Sequence, residues 1–363
     1  MTELERKLKA KIPGPDTGIE VRRTLCDICS PGMHCGVAAY VKDGEVIKIE
    51  GLDGHPSNDG RLCTKGLSNR QYIYREDRIR TPLRRIGKRG EGKFQAISWE
   101  EAYAAIAEGL NKAKEQYGPE SVAFYSGYSK WYRQMLRRFA YAFGSPNYGC
   151  ESSACYTAAF MAWKVAAGEQ GSPDMERSDL FLGWAFNPFY SSYMGAKRAM
   201  ELKEQGLKFL IVDTRRTPAS EKLADLFLQP RTGTDGALAL AIANVLIQRG
   251  WIDRPYIEKY VYGFEEYAAY AAGFHEENIE ALTGVPYEQV EAAARLIHQN
   301  PRVSCNESSA PLCHHRNGLQ NYRAVMSLLA ITGNFDRAGG QLLTPHSYMH
   351  VSCGFASREE EYL

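Results

Sequence analysis

The sequence predicts an α/β fold: a small β-rich module containing cysteines, followed by Rossmann-like, three-layer α/β domains with mainly parallel sheets. Three cysteines within residues 26–35 stand directly ahead of an alternating apolar pattern, which is typical of a β unit holding a metal centre. Further along, short apolar strands alternate with amphipathic helices, the pattern of parallel sheets covered on both faces. The 363 residues are enough for two or three domains of about 150 residues each.

The cysteine-containing module occupies residues 1–75. Residues 1–24 are polar and include Pro13 and Pro15, so we expect an extended arm. In GVAAYVKDGEVIKIEGL, two alternating runs meet at Asp43-Gly44, a strong signal for a β-hairpin. The loop that follows carries a fourth cysteine, Cys63.

The remainder of the chain is predicted to form the α/β body. Ser98 and Glu101 form a capping box that begins a helix, and Gly118-Pro119 ends it. Strands are predicted at 121–126, 179–184, 208–213, 225–230 and 301–306. Helices are predicted at 131–143, 154–166, 192–206, 235–249, 254–273, 286–299 and 319–331. We expect one α/β domain at 76–150 plus 300–363 and a second at 151–299.

Composition excludes several classes of protein. The 44 basic and 43 acidic residues balance, so a nucleic-acid partner is not expected. The amino terminus lacks the apolar run of an export signal, and no stretch reaches the roughly 20 apolar residues of a membrane span. An odd number of cysteines, nine, indicates metal or thiolate use in a reducing compartment. We therefore expect a cytoplasmic protein without direct membrane insertion.

The four cysteines follow the pattern C-x2-C-x5-C-x27-C. Such a set holds either a tetrahedral zinc ion or an iron–sulfur cluster, and unrelated buried thiols are the least favoured reading. Structural zinc sites more often use two C-x2-C pairs, whereas this chain has one pair and two single cysteines. The spacing favours a cubane cluster and leaves zinc open.

The segment CDICSPGMHCGVAAYVKDGEVIKIEG, with the later GRLCTKG, resembles the amino-terminal domain of the dimethyl sulfoxide reductase superfamily of molybdopterin oxidoreductases. The resemblance implies a [4Fe–4S] cluster on Cys26, Cys29, Cys35 and Cys63. It also implies that Lys65 lies between the cluster and a pterin. The family usually has three residues between the second and third cysteines, and this chain has five.

Later blocks resemble the same family in their usual order: REDRIRTPLRRIG, FAYAFGSPN, LFLGWAFNP, IVDTRRTPASEK and HHRNGLQ. The resemblance implies molybdenum or tungsten held by two molybdopterin guanine dinucleotides and one protein side chain. In cysteine-using relatives this ligand lies eight residues beyond the asparagine of GSPN, which is Cys155 here. A thiolate suits a metal already bound by sulfur, and Cys150 in the same loop is the rival.

The guanine dinucleotides are expected at the carboxyl ends of the parallel strands. Asp213 and Asp235 offer acceptors for ribose or guanine, and Arg215 and Arg216 offer donors to phosphate. Gly233 permits close backbone approach. Further candidates for the cofactor loops are Asn187, His315 and Gly318.

The resemblance therefore implies the amino-terminal half of an oxidoreductase catalytic subunit. Its electrons would pass through the cluster to an iron–sulfur partner subunit, and a second polypeptide would supply the carboxyl-terminal domains. Two alternatives stay open: a non-redox tungsten hydratase or hydroxyl transferase, and a non-catalytic electron-transfer subunit that keeps only the cluster. The hydratase among these relatives has an aspartate directly after the second cluster cysteine, where this chain has Ser30.

Overall fold

The structure is a computed structural model that describes residues 1–26, 28, 34–127, 132–306 and 309–343. The chain divides into two compact units. The first comprises Met1–Ala123 and Ala142–Asn147, and the second comprises Phe124–Tyr141 and the described residues from Tyr148 onward. The predicted division into three domains stays a prediction.

The first unit is built on a three-stranded antiparallel sheet. Its strands are β1 (Glu20–Leu25), β2 (Gly36–Lys42) and β3 (Glu45–Gly51). The predicted hairpin joins β2 to β3, with positive φ at Asp43 (52°) and Gly44 (80°). Two successive positive φ angles match the right-handed twist of the flanking strands, which is why Asp-Gly is favoured there.

The predicted extended arm at residues 1–24 is wrong. Helix α1 (Glu3–Ala10) forms instead, with a capping box between Thr2 and Glu5. β1 then pairs over its whole length with residues 36–41 of β2. The Thr2–Glu5 signal is present in the sequence, and the polar strand β1 is stabilised by pairing with β2 rather than by its own apolar pattern.

The rest of the first unit is a set of short elements followed by one long helix. These elements are α2 (Thr64–Leu67), α3 (Asn69–Ile73), β4 (Leu83–Arg85), β5 (Phe94–Ala96) and α4 (Trp99–Tyr117). The predicted capping box between Ser98 and Glu101 is confirmed. Although α4 is amphipathic, none of its residues is buried.

The second unit contains the predicted parallel sheet. Its strands are β9 (Leu180–Trp184), β10 (Lys208–Val212), β11 (Leu226–Leu228) and β12 (Val303–Cys305). They lie in the order β11-β10-β9-β12, and every neighbouring pair is parallel. Smaller pairings join β6 (Phe124–Ser126) to β7 (Tyr148–Cys150) in parallel, and β8 (Gly171–Pro173) to β13 (Gln341–Leu343) in antiparallel.

Helices cover both faces of the parallel sheet. The helices beyond residue 132 are α5 (Arg133–Phe143), α6 (Thr157–Ala167), α7 (Pro188–Ser191), α8 (Tyr193–Glu204), α9 (Pro218–Lys222), α10 (Asp235–Gln248), α11 (Arg254–Tyr260), α12 (Phe264–Ala271), α13 (Glu276–Thr283), α14 (Tyr287–Gln299), α15 (Ser309–Cys313) and α16 (Gly318–Ile331). Leu182 and Leu210 pack in a cluster with α10, α14 and α16, whereas Phe181 and Phe209 pack with α8 and α9. Successive strand residues point to opposite faces, so apolar runs give two cores and three layers. The predicted fold class is confirmed.

The single helix predicted at 254–273 is wrong. α11 and α12 are separate because Val261 is extended and Gly263 has a φ of 77°. Helix α13 was not predicted. Among the described residues, no helix is both long and apolar enough to cross a membrane.

Candidate functional site

Three of the four predicted cluster cysteines lie in described parts of the first unit. Cys26 follows β1 and Cys35 precedes β2, and the Cys26 N–H donates to the Cys35 carbonyl at 2.8 Å. Cys63 is the N-cap residue of α2, and all three are partly exposed. Cys29 lies outside the described residues, as does Ser30. Within the described ranges, no three His, Cys, Asp or Glu side chains converge on one metal position.

A buried asparagine, which the sequence analysis missed, joins the two cysteine loops. Asn58 is 1% exposed, and its Oδ1 accepts from the Gly36 N–H at 2.6 Å. Its Nδ2 donates to the carbonyls of Gly36 at 3.0 Å and Arg61 at 2.5 Å. Gly36 directly follows Cys35, and Arg61 lies two residues before Cys63. The side chain therefore ties together the backbones next to two predicted ligands.

The donor set of this module fits an iron–sulfur cluster. Asn69, the first residue of α3, directs its Nδ2 at the Sγ of Cys26 at 3.6 Å. An amide N–H facing sulfur stabilises a thiolate, and hydrogen bonds to the sulfurs tune a cluster's potential. Lys65 lies on the exposed side of α2, two residues after Cys63.

Replacing Asn69 with leucine is expected to lower the midpoint potential of the cluster. The variant keeps the side-chain size but removes the N–H that stabilises the more negative, reduced form. If the equilibrium constant for reduction falls about tenfold, the midpoint potential of this one-electron couple falls by about 59 mV. An EPR-monitored redox titration measures the shift.

The matched control for Asn69→Leu is Tyr74→Phe. It removes the bond from the Val46 N–H to the Tyr74 hydroxyl, at 2.9 Å, in the same module. The potential should stay unchanged in this variant. Equal shifts in both variants would contradict a specific effect of Asn69 on the sulfur.

Cys155 lies in the loop between β7 and α6. A 3-10 turn spans Glu151–Ser153, and the Tyr156 N–H donates to the Ser152 carbonyl at 3.1 Å. The Cys155 side chain is partly exposed, as is that of its rival Cys150. Cys150 is the last residue of β7 and pairs with Ser126 in β6. The backbones that carry the two sulfurs thus differ. Cys150 lies on a paired strand, and Cys155 lies on the turn before α6.

Two predicted carboxylates meet at the carboxyl edge of the parallel sheet. Asp213 follows β10, and Asp235 is the first residue of α10. Burial raises the pKa of both carboxyl groups, and the nearby Asp213 charge raises the pKa of Asp235 further. The Arg215 backbone N–H donates to Asp213 at 3.2 Å and partly opposes the effect of burial on that pKa. This edge of the sheet therefore presents several carboxylate oxygens that can accept hydrogen bonds.

A fully buried tryptophan, also missed from the sequence, contacts one of these carboxylates. Trp184, the last residue of β9, donates from Nε1 to Asp235 Oδ1 at 2.8 Å. This hydrogen bond lowers the pKa of Asp235 against the effect of burial. A tryptophan at the end of an apolar strand is otherwise typical of core packing, so the sequence carried no separate signal.

Asn187 presents an unsatisfied acceptor beside the same edge. It follows β9 after a short loop, and its Oδ1 is buried without a hydrogen-bond partner among the described residues. Buried carbonyl oxygens are nearly always satisfied. An N–H group of a bound nucleotide or pterin would satisfy this one, so Asn187 fits a cofactor contact.

Two further predicted residues, His315 and Gly318, are in contact with other protein groups. His315 contacts protein groups at both ring nitrogens, Nε2 to Asn321 Nδ2 at 2.6 Å and Nδ1 to the Asn317 N–H at 3.3 Å. Gly318 is required for packing, since a Cβ there would lie 2.3 Å from the Cys313 carbonyl oxygen. These contacts explain both residue types without a ligand.

Arg215, Arg216 and Gly233 lie in exposed segments between helices and strands. The guanidinium of Arg215 lies 5.9 Å from the Tyr190 ring centre, and that of Arg216 lies 5.6 Å from the Phe227 ring centre. Gly233 has a φ of 84°, with open space where a Cβ would point. This conformation favours glycine and leaves room for close approach of a ligand.

Comparison with known proteins places the chain in a family. The family model described as molybdopterin oxidoreductase matches residues 78–351, and the model described as molybdopterin oxidoreductase Fe4S4 domain matches residues 19–75. The chain is 29% identical over 332 residues to a probable oxidoreductase, YoaE, of Bacillus subtilis, covering 90% of this chain and 48% of that protein. It is 30% identical over 336 residues to the thiosulfate reductase molybdopterin-containing subunit PhsA of Salmonella typhimurium, covering 90% of this chain and 43% of that protein.

A solved structure shares the fold. Acetylene hydratase from Pelobacter acetylenicus aligns with a TM-score of 0.78 and 27% identity, covering 94% of this chain and 48% of that one. The chain thus spans about half the length of the relatives it matches. The two family models imply a molybdopterin carrying molybdenum or tungsten and a [4Fe–4S] cluster, in agreement with the sulfur and acceptor groups described above. The chain belongs to the molybdopterin oxidoreductase family and carries that family's Fe4S4 domain at its amino-terminal end.

Proposed function

We propose that this chain is the cofactor-binding, amino-terminal half of a molybdenum- or tungsten-dependent oxidoreductase catalytic subunit. The observation that carries the proposal is the acceptor-rich sheet edge, where Asp213, Asp235 and the unsatisfied Asn187 oxygen are gathered. Guanine and pterin rings present N–H donors, which such an edge would bind. When bound, the metal–pterin group supplies two-electron redox chemistry.

Each candidate residue has a proposed role. Asp235 and Asp213 accept from guanine or ribose, Arg215 and Arg216 neutralise phosphate, and Gly233 lets the backbone approach. Cys155 completes the metal coordination through its thiolate. Cys26, Cys29, Cys35 and Cys63 hold the cluster, and Lys65 contributes positive charge near it, which favours reduction.

The proposal includes further protein that completes the fold. The relatives are about twice as long as this chain. In addition, α4 exposes Trp99 (58%), Tyr103 (62%) and Ile106 (58%) at helical spacing, on a helix with no buried residue. A helix of this kind is normally stabilised by packing its apolar face. A second polypeptide homologous to the remaining part of these relatives would cover such a face, and an iron–sulfur subunit would accept the electrons.

A non-redox hydratase is the second candidate. The observation in its favour is the structural match to acetylene hydratase over 94% of the chain. Against it, the relatives over a similar span carry oxidoreductase names, among them a thiosulfate reductase subunit and an F420-dependent formate dehydrogenase subunit. We therefore favour the redox function.

Anaerobic purification followed by metal analysis, pterin extraction and EPR tests the proposal. We expect about four irons per chain, pterin with molybdenum or tungsten, and a reduced-cluster signal. Zinc without iron would contradict it, and iron without pterin would favour the electron-transfer subunit. Viologen-linked assays with dimethyl sulfoxide, thiosulfate and formate, beside an acetylene hydration assay, separate the redox function from the hydratase.

A further inference from the structure

We propose that Trp184 is a positioning residue for nucleotide recognition, whose indole N–H holds the Asp235 carboxylate in the orientation that receives guanine. The inference rests on the proposed role of Asp235 and deepens it. Trp184 acts through the carboxylate rather than as a cofactor contact, so it would not be identified from a list of polar residues at the sheet edge.

Protein donors use part of the hydrogen-bonding capacity of the Asp235 carboxylate and leave acceptor positions for a ligand. The indole Nε1 lies 2.8 Å from Asp235 Oδ1, and both residues are buried, with Trp184 at 0% and Asp235 at 5% exposure. An ionised carboxylate has about four acceptor positions, of which the indole occupies one and the Asp235 backbone N–H another. Guanine presents a ring N–H and an exocyclic amine side by side, and a fixed carboxylate accepts from both.

The backbone beneath the carboxylate is held separately. A Cβ added to Gly236 would lie 2.5 Å from Asn321 Oδ1, so the start of α10 packs closely against α16. Asn321 is 3% exposed. The main remaining freedom of Asp235 is rotation of its carboxylate, a torsion with a broad distribution. The hydrogen bond from Trp184 restricts that rotation.

The charges around Asp235 make its ionisation sensitive to the same bond. Burial raises the pKa of Asp235 most, and the Trp184 N–H opposes that effect. Of the nearby charges, His315 before α16 lowers this pKa and Asp213 at the end of β10 raises it. Guanine needs the ionised carboxylate as acceptor, so binding weakens as the pH falls through this pKa. Removing the indole N–H should raise the pKa and therefore move this loss to higher pH.

The test compares Trp184→Phe with Trp163→Phe. Trp163 is also buried in the same core, at 2% exposure, and its ring packs edge-on against Phe335 at 5.7 Å. Each variant loses an indole from this core, but only Trp184→Phe removes the bond to Asp235. Calorimetric titration of the cofactor-free protein with GMP and with IMP, from neutral pH down to the lowest pH at which the protein stays folded, gives the affinity, the base selectivity and the pH midpoint. IMP lacks the exocyclic amine of guanine.

We expect Trp184→Phe to bind GMP about tenfold more weakly, with a smaller loss for IMP and a higher pH midpoint. Trp163→Phe should retain the GMP preference and the midpoint. Equal losses for both nucleotides with an unchanged midpoint, or no loss at all, would overturn the positioning role. Guanine nucleotide released by acid hydrolysis of the purified protein should fall in parallel with GMP affinity.

Asp235→Asn separates this inference from the proposed function. If the unmodified protein neither binds GMP nor contains guanine nucleotide, the proposed function fails. If Asp235→Asn loses the GMP preference while Trp184→Phe keeps it, only the role of Trp184 fails. Should Trp184→Phe not fold, ¹⁵N-tryptophan NMR decides: the Trp184 indole signal, assigned by substituting the other four tryptophans, must shift on GMP addition. An indole signal that GMP leaves unmoved would reject the inference.

Discussion

Replacing Cys155 with alanine should reduce turnover by at least about 100-fold, measured with whichever substrate the unmodified protein converts. In its proposed role the Cys155 thiolate would complete the coordination of a metal held otherwise by pterin sulfur, and the variant lacks that thiolate. The pterin and iron contents should stay close to those of the unmodified protein. The EPR signal of the pentavalent metal should change its g values, because one sulfur ligand has been removed.

Cys150→Ala is the matched control, five residues earlier in the same loop. Its side chain is also partly exposed, but its backbone lies in β7. This variant should keep both turnover and the EPR signal. The opposite result, with Cys150→Ala inactive and Cys155→Ala active, would transfer the ligand role to Cys150.

Replacing Asn58 with leucine should unfold the cysteine module locally and release its iron. The leucine has nearly the same volume but leaves the Gly36 N–H and the Arg61 carbonyl without this partner, whereas the Gly36 carbonyl still accepts from the Leu52 N–H at 2.9 Å. Each buried group left unsatisfied costs about 1–3 kcal/mol, so the two groups predict a loss of roughly 2–5 kcal/mol in the free energy of unfolding. Iron and sulfide analysis and chemical denaturation measure the two effects.

Asn300→Leu provides the comparison in the second unit. Asn300 is 7% exposed and, within the described ranges, its side chain donates to the Leu296 carbonyl alone, at 2.7 Å. We expect a loss of about 1 kcal/mol and an unchanged iron content. Full iron occupancy in Asn58→Leu would show that the two cysteine loops are held together by other contacts.

Local signals in the sequence predicted much of the architecture. Asp43-Gly44 predicted the hairpin, and Ser98 with Glu101 predicted the start of α4, because turn and cap preferences depend on a few adjacent residues. The apolar runs predicted the strands of the parallel sheet. The order of these strands within the sheet required the structure.

One error arose where a tertiary contact outweighed the local pattern, and another where the backbone breaks inside a continuous apolar pattern. β1 has a polar sequence and is a strand because it pairs with β2. α11 and α12 were predicted as one helix, since the apolar periodicity continues across Gly263 although its backbone is left-handed. Periodicity reports which face is buried and says little about a break in the backbone.

Some features of the candidate site were likewise predictable from the sequence, and others were visible only in the structure. The sequence by itself determined the cysteine spacing, the carboxylates that follow apolar strands and the thiolate eight residues after Asn147. Only the tertiary structure showed that Asn58 joins the loops beside Cys35 and Cys63, and that Trp184 reaches Asp235 across 51 residues of sequence. The physical reason is that a polar side chain is paired by whichever backbone or side-chain group folding brings within about 3 Å, and that choice depends on how distant apolar faces pack.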